Sequence, residues 1–224
     1  AFSPDKRYLM SANYSGGSLS VFPILGDYRL GHASCVLRHS GEGVNRERQE
    51  GPHPHQMLLS PDGKYVYVPD LGLDCLAGYR GDWEKGWLLP DEQLTIPGIK
   101  GQGIRHGVFD RKGRHLYVMT EMACQVNVYE YEMESGRARL VQTISAMPKT
   151  CRPPSLGAAI RLHPKGKWLY ASVRGSNHLA EFRIEEDGRL EQIQIQDSLG
   201  EIPRDFILSP DGEYLLAGNQ DADT

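Results

Sequence analysis

Cysteine is scarce in this 224-residue chain: only Cys35, Cys75, Cys124 and Cys151 occur, and no two are spaced as C-x-x-C. Such thin, scattered usage argues against a disulfide scaffold and fits free thiols in a reducing, cytoplasmic compartment. Charge of one sign is also lacking. Lys and Arg number 25 against 29 Asp and Glu, for a net charge of -4. With no basic stripe, neither nucleic acid nor an anionic membrane surface is expected as a partner. Apolar runs are short, as at Phe206-Ile207-Leu208, and none is long enough to span a bilayer. No segment keeps a 3.6-residue apolar period over helix length. There is no initiator Met, and Ala1-Phe2-Ser3-Pro4-Asp5 reads as neither a signal nor a transit peptide. The chain is therefore expected to begin inside a longer protein. With 39% hydrophobic and 24% charged residues it is not disordered by composition.

Glycine, by contrast, is plentiful: 25 residues, about 11% against a usual roughly 7%. A heptapeptide pattern recurs five times. Its copies are Ser3-Pro4-Asp5-Lys6-Arg7-Tyr8-Leu9, Ser60-Pro61-Asp62-Gly63-Lys64-Tyr65-Val66, Asp110-Arg111-Lys112-Gly113-Arg114-His115-Leu116, His163-Pro164-Lys165-Gly166-Lys167-Trp168-Leu169 and Ser209-Pro210-Asp211-Gly212-Glu213-Tyr214-Leu215. The offsets are 57, 50, 53 and 46 residues. Each copy reads as a turn between two strands, because Pro presets φ and Asp and Gly follow where unusual φ is tolerated or needed.

Short apolar runs precede the turn, such as Met57-Leu58-Leu59 and Phe206-Ile207-Leu208, as expected of strands buried on both faces. Aromatic and β-branched residues follow it, as in Tyr65-Val66-Tyr67-Val68. A third strand is predicted over residues 19–22, 125–129 and 179–182. A second Gly-bearing turn, such as Glu186-Asp187-Gly188, leads to a fourth. Cys75 and Cys124 are each expected to begin a third strand, as small hydrophobes. Four strands per roughly 50 residues predict an all-β fold, a β-propeller with four-stranded blades. The period exceeds the roughly 40–45 residues of WD40 repeats, whose Gly-His and Trp-Asp signature is missing. The paired glycines expected of kelch repeats occur only at Gly16-Gly17.

The repeat also sorts residues by face. The start of each first strand and the end of each second strand lie together, opposite the heptad turns. First strands start with His55, Arg105, Ala158 and Arg204, followed by Gln56, His106, Ala159 and Asp205. Second strands end at Asn13-Tyr14, Asp70-Leu71, Thr120-Glu121, Val173-Arg174 and Asn219-Gln220. These residues vary from copy to copy while the heptad repeats. A structural requirement would repeat its side chain, so the ionisable set His55, Arg105, Glu121 and Arg174 points to a ligand site. Asn13, Asp70 and Asn219 suit strand-end turns equally well. The heptad cations Lys6, Arg7, Lys64, Arg114 and Lys167 fall on the opposite face, as a solvated rim. No Gly-x-Ser-x-Gly elbow offers a serine nucleophile. The lone His53-x-His55 spacing is weak evidence for a metal, and none is expected.

His53-Pro54-His55-Gln56, Ile104-Arg105-His106, Thr120-Glu121-Met122, Val173-Arg174-Gly175 and Pro203-Arg204-Asp205-Phe206 resemble the lactonase family of seven-bladed propellers. Its members include propeller-type 6-phosphogluconolactonases and fungal carboxymuconate-lactonizing enzymes. Ala12-Asn13-Tyr14, Arg48-Gln49, Pro69-Asp70-Leu71-Gly72 and Asn219-Gln220 look like that family too. Its proposed catalytic His, two Arg and Glu carry over to His55, Arg105, Arg174 and Glu121. Where the family often has Pro before the first Arg, and Asn before the Glu and the second Arg, this chain has Ile104, Thr120 and Val173. The resemblance implies a seven-bladed protein of on the order of 350 residues. Residues 1–224 are then one propeller domain, incomplete at both ends, with about four and a half blades present.

The implied activity is opening of a sugar lactone, 6-phospho-D-glucono-1,5-lactone to 6-phosphogluconate, in the oxidative pentose-phosphate route. The residue types suit metal-independent hydrolysis without a cofactor. His55 serves acid/base transfer near neutral pH, and Glu121 acts as the base or orients His55. Arg105 and Arg174 offer donor forks to an oxyanion, carboxylate or phosphate. Further substrate contacts are expected at Asn13, Tyr14, Arg48, Asp70, His106, Arg204 and Asn219. The alternatives are a lactonizing cyclase acting on a muconate and a non-enzymatic interaction platform.

Overall fold

The computed structural model describes residues 1–148 and 154–222. Cys151 and the end of the Asp221-Ala222-Asp223-Thr224 tail lie outside the described residues. Successive strands pair antiparallel into sheets. The first sheet is β1 (Tyr8–Asn13), β2 (Ser18–Pro23) and β3 (Cys35–Arg38), in that order. The second is β4 (Leu58–Leu59), β5 (Tyr65–Asp70), β6 (Cys75–Asp82) and β7 (Trp87–Pro90), with β8 (Ile96–Pro97) also paired to β6. The third holds β9 (Ile104–Phe109), β10 (His115–Thr120), β11 (Gln125–Glu132) and β12 (Arg137–Ser145). The fourth holds β13 (Leu156–Leu162), β14 (Trp168–Arg174), β15 (His178–Ile184) and β16 (Leu190–Asp197), and β17 (Pro203–Leu208) pairs with β18 (Leu215–Asn219). Among the described residues helix is confined to a single 3-10 turn, Glu92–Leu94, and no helix is long and apolar enough to cross a membrane.

Cα packing sorts the chain into two compact units: Ala1–Ile104 with Glu132–Arg137, and Arg105–Tyr131 with Ala138–Thr224. The first has a core of Met10, Leu19, Val21, Met57, Val66, Val68, Tyr79 and Leu88. The core of the second includes Tyr117, Met119, Val126, Val128, Ile160, Leu169, Val173 and Phe182. In the second and third sheets burial on both faces belongs to the second strand, not the first. Every residue of β5 and of β10 is buried, whereas β4 is two half-buried residues and Ile207 of β17 is 64% exposed. The second strand has a neighbour on either side, and the first is an edge. Cys75 opens β6 as expected, but Cys124 sits in the turn before β11, at φ +50°.

The heptads are turns with one internal design. In the second copy Gly63 N donates to Ser60 O at 2.9 Å, Ser60 N to Tyr65 O at 2.8 Å, and Ser60 Oγ to Asp62 Oδ1 at 2.7 Å. The fourth position is left-handed throughout: φ is +59° at Lys6, +74° at Gly63, +64° at Gly113, +71° at Gly166 and +78° at Gly212. Glycine adopts this conformation without the Cβ cost, and Lys6 bears it. Lys6, Arg7, Lys64, Arg114 and Lys167 are all exposed.

The sixth heptad position clasps the following repeat. A Cβ on Gly86 would come 2.2 Å from Tyr8 Cε1, one on Gly136 2.9 Å from Tyr65 Cδ2, and one on Gly188 2.2 Å from His115 Cε1. Each glycine lies in the turn between the third and fourth strands of the next repeat. Hydrogen bonds follow the same path, from Tyr65 Oη to Glu134 O at 2.9 Å, Tyr67 Oη to Gly136 O, and Tyr117 Oη to Gly188 O at 3.0 Å.

Candidate active site

In the second unit three of the expected residues meet. Arg105 is the second residue of β9, Glu121 follows β10 directly, and Arg174 ends β14. Arg105 Nε lies 3.0 Å and Arg174 Nη2 2.8 Å from the same oxygen, Oε2 of Glu121. All three side chains are buried, at 4% exposure for Arg105 and Glu121 and 11% for Arg174. Arg105 Nη1 also donates to Ala158 O at 2.8 Å, and Arg174 Nη2 to Gly157 O at 2.9 Å.

Burial lowers the Arg105 guanidinium to about 10; Glu121 opposes that shift, and Arg174 and Arg204 add to it. With two cations against one anion, the cluster carries an excess positive charge in a desolvated place. Arg174 Nε is buried without a hydrogen-bond partner among the described residues. Such an arrangement suits an anionic ligand or a developing oxyanion.

Gly157 makes this packing possible, and sequence reasoning missed it. A Cβ there would come 2.3 Å from Thr120 O. Only glycine lets β13 pass this close to the end of β10 and offer its carbonyl to Arg174. The β13–β14 register shifts between Gly157 and Ile160, as a bulge does.

His106 and Arg204 lie in the same unit. Arg105 Nη1 is 3.3 Å from both ring nitrogens of the half-buried His106, and the exposed Arg204 bonds Gln220 Oε1 at 3.0 Å. Asn219 is directed elsewhere: its Nδ2 donates to Ser198 O at 3.3 Å. It lines an apolar hollow of about 510 Å³ with Tyr170, Leu179, Leu199 and Leu215.

In the first unit the expected residues form a second group. His55 is half-buried, and its backbone N donates to Pro69 O at 2.9 Å. Its Nδ1 lies 3.1 Å from His53 O. A carbonyl only accepts, so Nδ1 carries the proton and the lone pair of the neutral ring sits on Nε2. Tyr14, 37% exposed, stacks on His53 with centroids 4.4 Å apart and meets His55 edge-on at 4.6 Å. His53 Nε2 is paired to Glu50 at 3.1 Å.

Two of the expected substrate contacts hold bonds within the fold. Asp70 is fully buried, and its Oδ1 accepts from His53 N (2.8 Å), Gly72 N (2.9 Å) and Leu73 N (3.2 Å). Asn13 Nδ2 donates to Ser18 and Ser20 at 3.2 Å each. Asn and Asp at strand ends bond backbone and neighbouring hydroxyls more readily than they wait for a ligand. Arg48 is half-buried in the loop where its N donates to Asn45 O at 3.2 Å. Glu121, expected as a base or as the orienter of His55, is held by the two arginines and braces them. His39 and Tyr79, which sequence reasoning did not single out, complete a buried chain with Asp70, at 2.5 Å from His39 Nδ1 to Asp70 Oδ2 and 2.6 Å from His39 Nε2 to Tyr79 Oη.

Comparison with known proteins places these groups in context. A family model described as lactonase, 7-bladed beta-propeller, matches residues 1–224. The chain is 34% identical over 222 residues to a 6-phosphogluconolactonase of Bacillus subtilis, covering 97% of this chain and 61% of that protein. The structure of a periplasmic gluconolactonase from Pseudomonas aeruginosa superposes with a TM-score of 0.92 at 33% identity, over 99% of this chain and 62% of that one. A protein from Lactobacillus plantarum gives the same TM-score and identity, over 99% and 63%. The chain thus spans about three fifths of the length of the relatives it matches.

Proposed function

Because the chain belongs to the seven-bladed β-propeller lactonase family, we infer that the complete protein is a hydrolase that opens a sugar lactone, 6-phospho-D-glucono-1,5-lactone, to 6-phosphogluconate. The observation that carries this reading is the buried pair Arg105 and Arg174 on one oxygen of Glu121, with Arg174 Nε left to meet a ligand. Two guanidiniums against one carboxylate favour an oxygen that gains charge as the carbonyl becomes tetrahedral. Residues 1–224 are read as part of a single propeller domain.

In this reading water adds to the lactone carbonyl carbon and its proton passes to His55 Nε2. The carbonyl oxygen becomes an oxyanion, a charge to which the paired guanidiniums of Arg105 and Arg174 are suited. When the intermediate collapses, the ring C–O bond breaks and His55 returns the proton to the leaving alkoxide. Lactone and water give one hydroxy acid, with no change of oxidation state and no cofactor in the path. Arg48, His106 and Arg204 are candidates by residue type for phosphate contacts and Tyr14 for a sugar contact; Asn13, Asp70 and Asn219 hold their own strand ends. The Bacillus subtilis relative is named for the phosphorylated lactone and the Pseudomonas aeruginosa structure for gluconolactone, so the phosphate is the point to test. The scattered cysteines support a cytoplasmic placement.

The experiment is turnover of 6-phosphogluconolactone and of gluconolactone by the full-length protein, with spontaneous hydrolysis subtracted. Faster turnover of the phosphorylated lactone is expected. No excess over the spontaneous rate with either substrate sinks the reading.

A further inference from the structure

The chain His39–Asp70–Tyr79 has no task in the reaction above, yet it is buried and polar throughout: the side chain of His39 is 5% exposed and that of Asp70 is fully buried. Burial pushes the Tyr79 phenol up, so it stays a hydroxyl. It donates to His39 Nε2, and Nδ1–H of His39 donates to Asp70 Oδ2. The other Asp70 oxygen accepts from the backbone of His53 at 2.8 Å. Pro54 bridges to Asp70 as an isolated β-bridge, and Leu71 N donates to His53 O at 3.1 Å. The Asp70 carboxylate thus anchors the segment that carries His55 beside its backbone bonds, and the second oxygen of that carboxylate is held by His39. Buried polar networks are costly unless every member is satisfied, and when satisfied they fix a single geometry.

We propose that His39 is a positioning residue for His55: through Asp70 it places the His53 backbone, whose carbonyl accepts from His55 Nδ1 and keeps the lone pair on Nε2. The proposal rests on the proton-transfer role given to His55. A residue serving the fold alone would lower stability without changing the state of the His55 ring.

Two readouts on the full-length protein separate these cases. Nitrogen-15 NMR of the histidine rings reports the His55 tautomer without substrate, and lactone turnover reports the consequence. His39→Ala is expected to move His55 from the Nδ1–H form toward a mixture. It should lower kcat roughly 10- to 100-fold with KM changed by no more than about twofold, as misplacement of a catalytic group does. His39→Asn, whose Nδ2 donates in place of Nδ1, should bring kcat back to within about threefold of wild type. If His39→Ala does not fold, Tyr79→Phe keeps the shape and withdraws only the donor to Nε2. It should show the same tautomer drift and a smaller loss, about two- to fivefold. In an active protein, unchanged kcat in His39→Ala, or in Tyr79→Phe where His39→Ala does not fold, overturns the proposal. If the wild-type protein turns over no lactone, the functional reading has failed instead. The NMR measurement then decides alone: drift of the His55 tautomer supports positioning, and no drift overturns it.

Discussion

Arg105 and Arg174 reach the same carboxylate oxygen, Glu121 Oε2, from 3.0 and 2.8 Å. That sharing makes the three side chains unequal in what their loss should cost. Glu121→Gln leaves two buried guanidiniums without a counter-charge, and removing one partner of a buried pair costs about 3–5 kcal/mol. Arg174→Ala leaves the Arg105–Glu121 pair intact, so denaturant unfolding should shift much less. Lactone turnover should nevertheless fall on the order of 100-fold or more, as when an oxyanion donor is removed. Melting curves and kcat for the two variants check this, and equal stability losses would count against the arrangement.

The heptad turn gives a prediction of unequal cost at equivalent positions. Gly63 stands at φ +74°, and a Cβ there would lie 2.6 Å from Pro4 Cγ. Gly63→Ala should therefore lose at least the left-handed cost of about 1–2 kcal/mol. Lys6 already holds this conformation, so Lys6→Gly trades relief of that strain against added freedom in the unfolded chain. It should stay within about 1 kcal/mol of neutral. Urea midpoints of both variants settle the comparison.

Acid should weaken the same turns. Asp62 is raised by desolvation, but the Ser60 hydroxyl and the Lys64 amide outweigh that and hold it below the usual carboxylate range. Asp5 and Asp211 are lowered as well. A carboxyl depressed in the folded state contributes stability above its unfolded pKa, near 3.9, and loses it as pH falls through the folded value. Ser60→Ala removes one hydrogen bond to the anion and also the acceptor of the Tyr65 N–H, a loss that does not depend on pH. The gap between the midpoints of wild type and variant should be widest at pH 7 and narrow as pH falls through the folded value of Asp62. Parallel curves would contradict the assignment.

The clasps between repeats are testable one by one. Tyr117→Phe removes the bond to Gly188 O and should cost about 1 kcal/mol. Gly188→Ala should cost more, because its Cβ would come 2.2 Å from His115 Cε1 and its φ is +82°. Adding His115→Ala to Gly188→Ala should recover part of that loss. A double-mutant cycle measures the coupling, and simple additivity would show that no clasp exists.

Local chemistry was legible in the sequence wherever a residue acts on its own neighbourhood. Pro, Asp and Gly in the heptads mark the turns because φ is a property of single residues. Arg105, Glu121 and Arg174 stood out because a repeat assigns each strand end to one face. Asp70 was ambiguous for the same reason that it is useful, since one carboxylate serves a turn or a ligand and only the amides around it decide. His39 was invisible. It has no counterpart in the other repeats, and its partners lie 31 and 40 residues away. The burial of β5 and β10 was assigned to the wrong strand because an apolar run does not say which of two paired strands lies at the edge.

The clasps also impose an order in time. Tyr8 reaches Glu84 across 76 residues, Tyr67 reaches Gly136 across 69, and Tyr117 reaches Gly188 across 71. A ribosome adding roughly 5–20 residues per second needs about 4 to 15 seconds to make such a stretch. Throughout that interval the sheet just completed waits, unsealed, for a glycine turn that has not been made. The growing chain thus always trails one open sheet, and that sheet is where a chaperone would find its substrate.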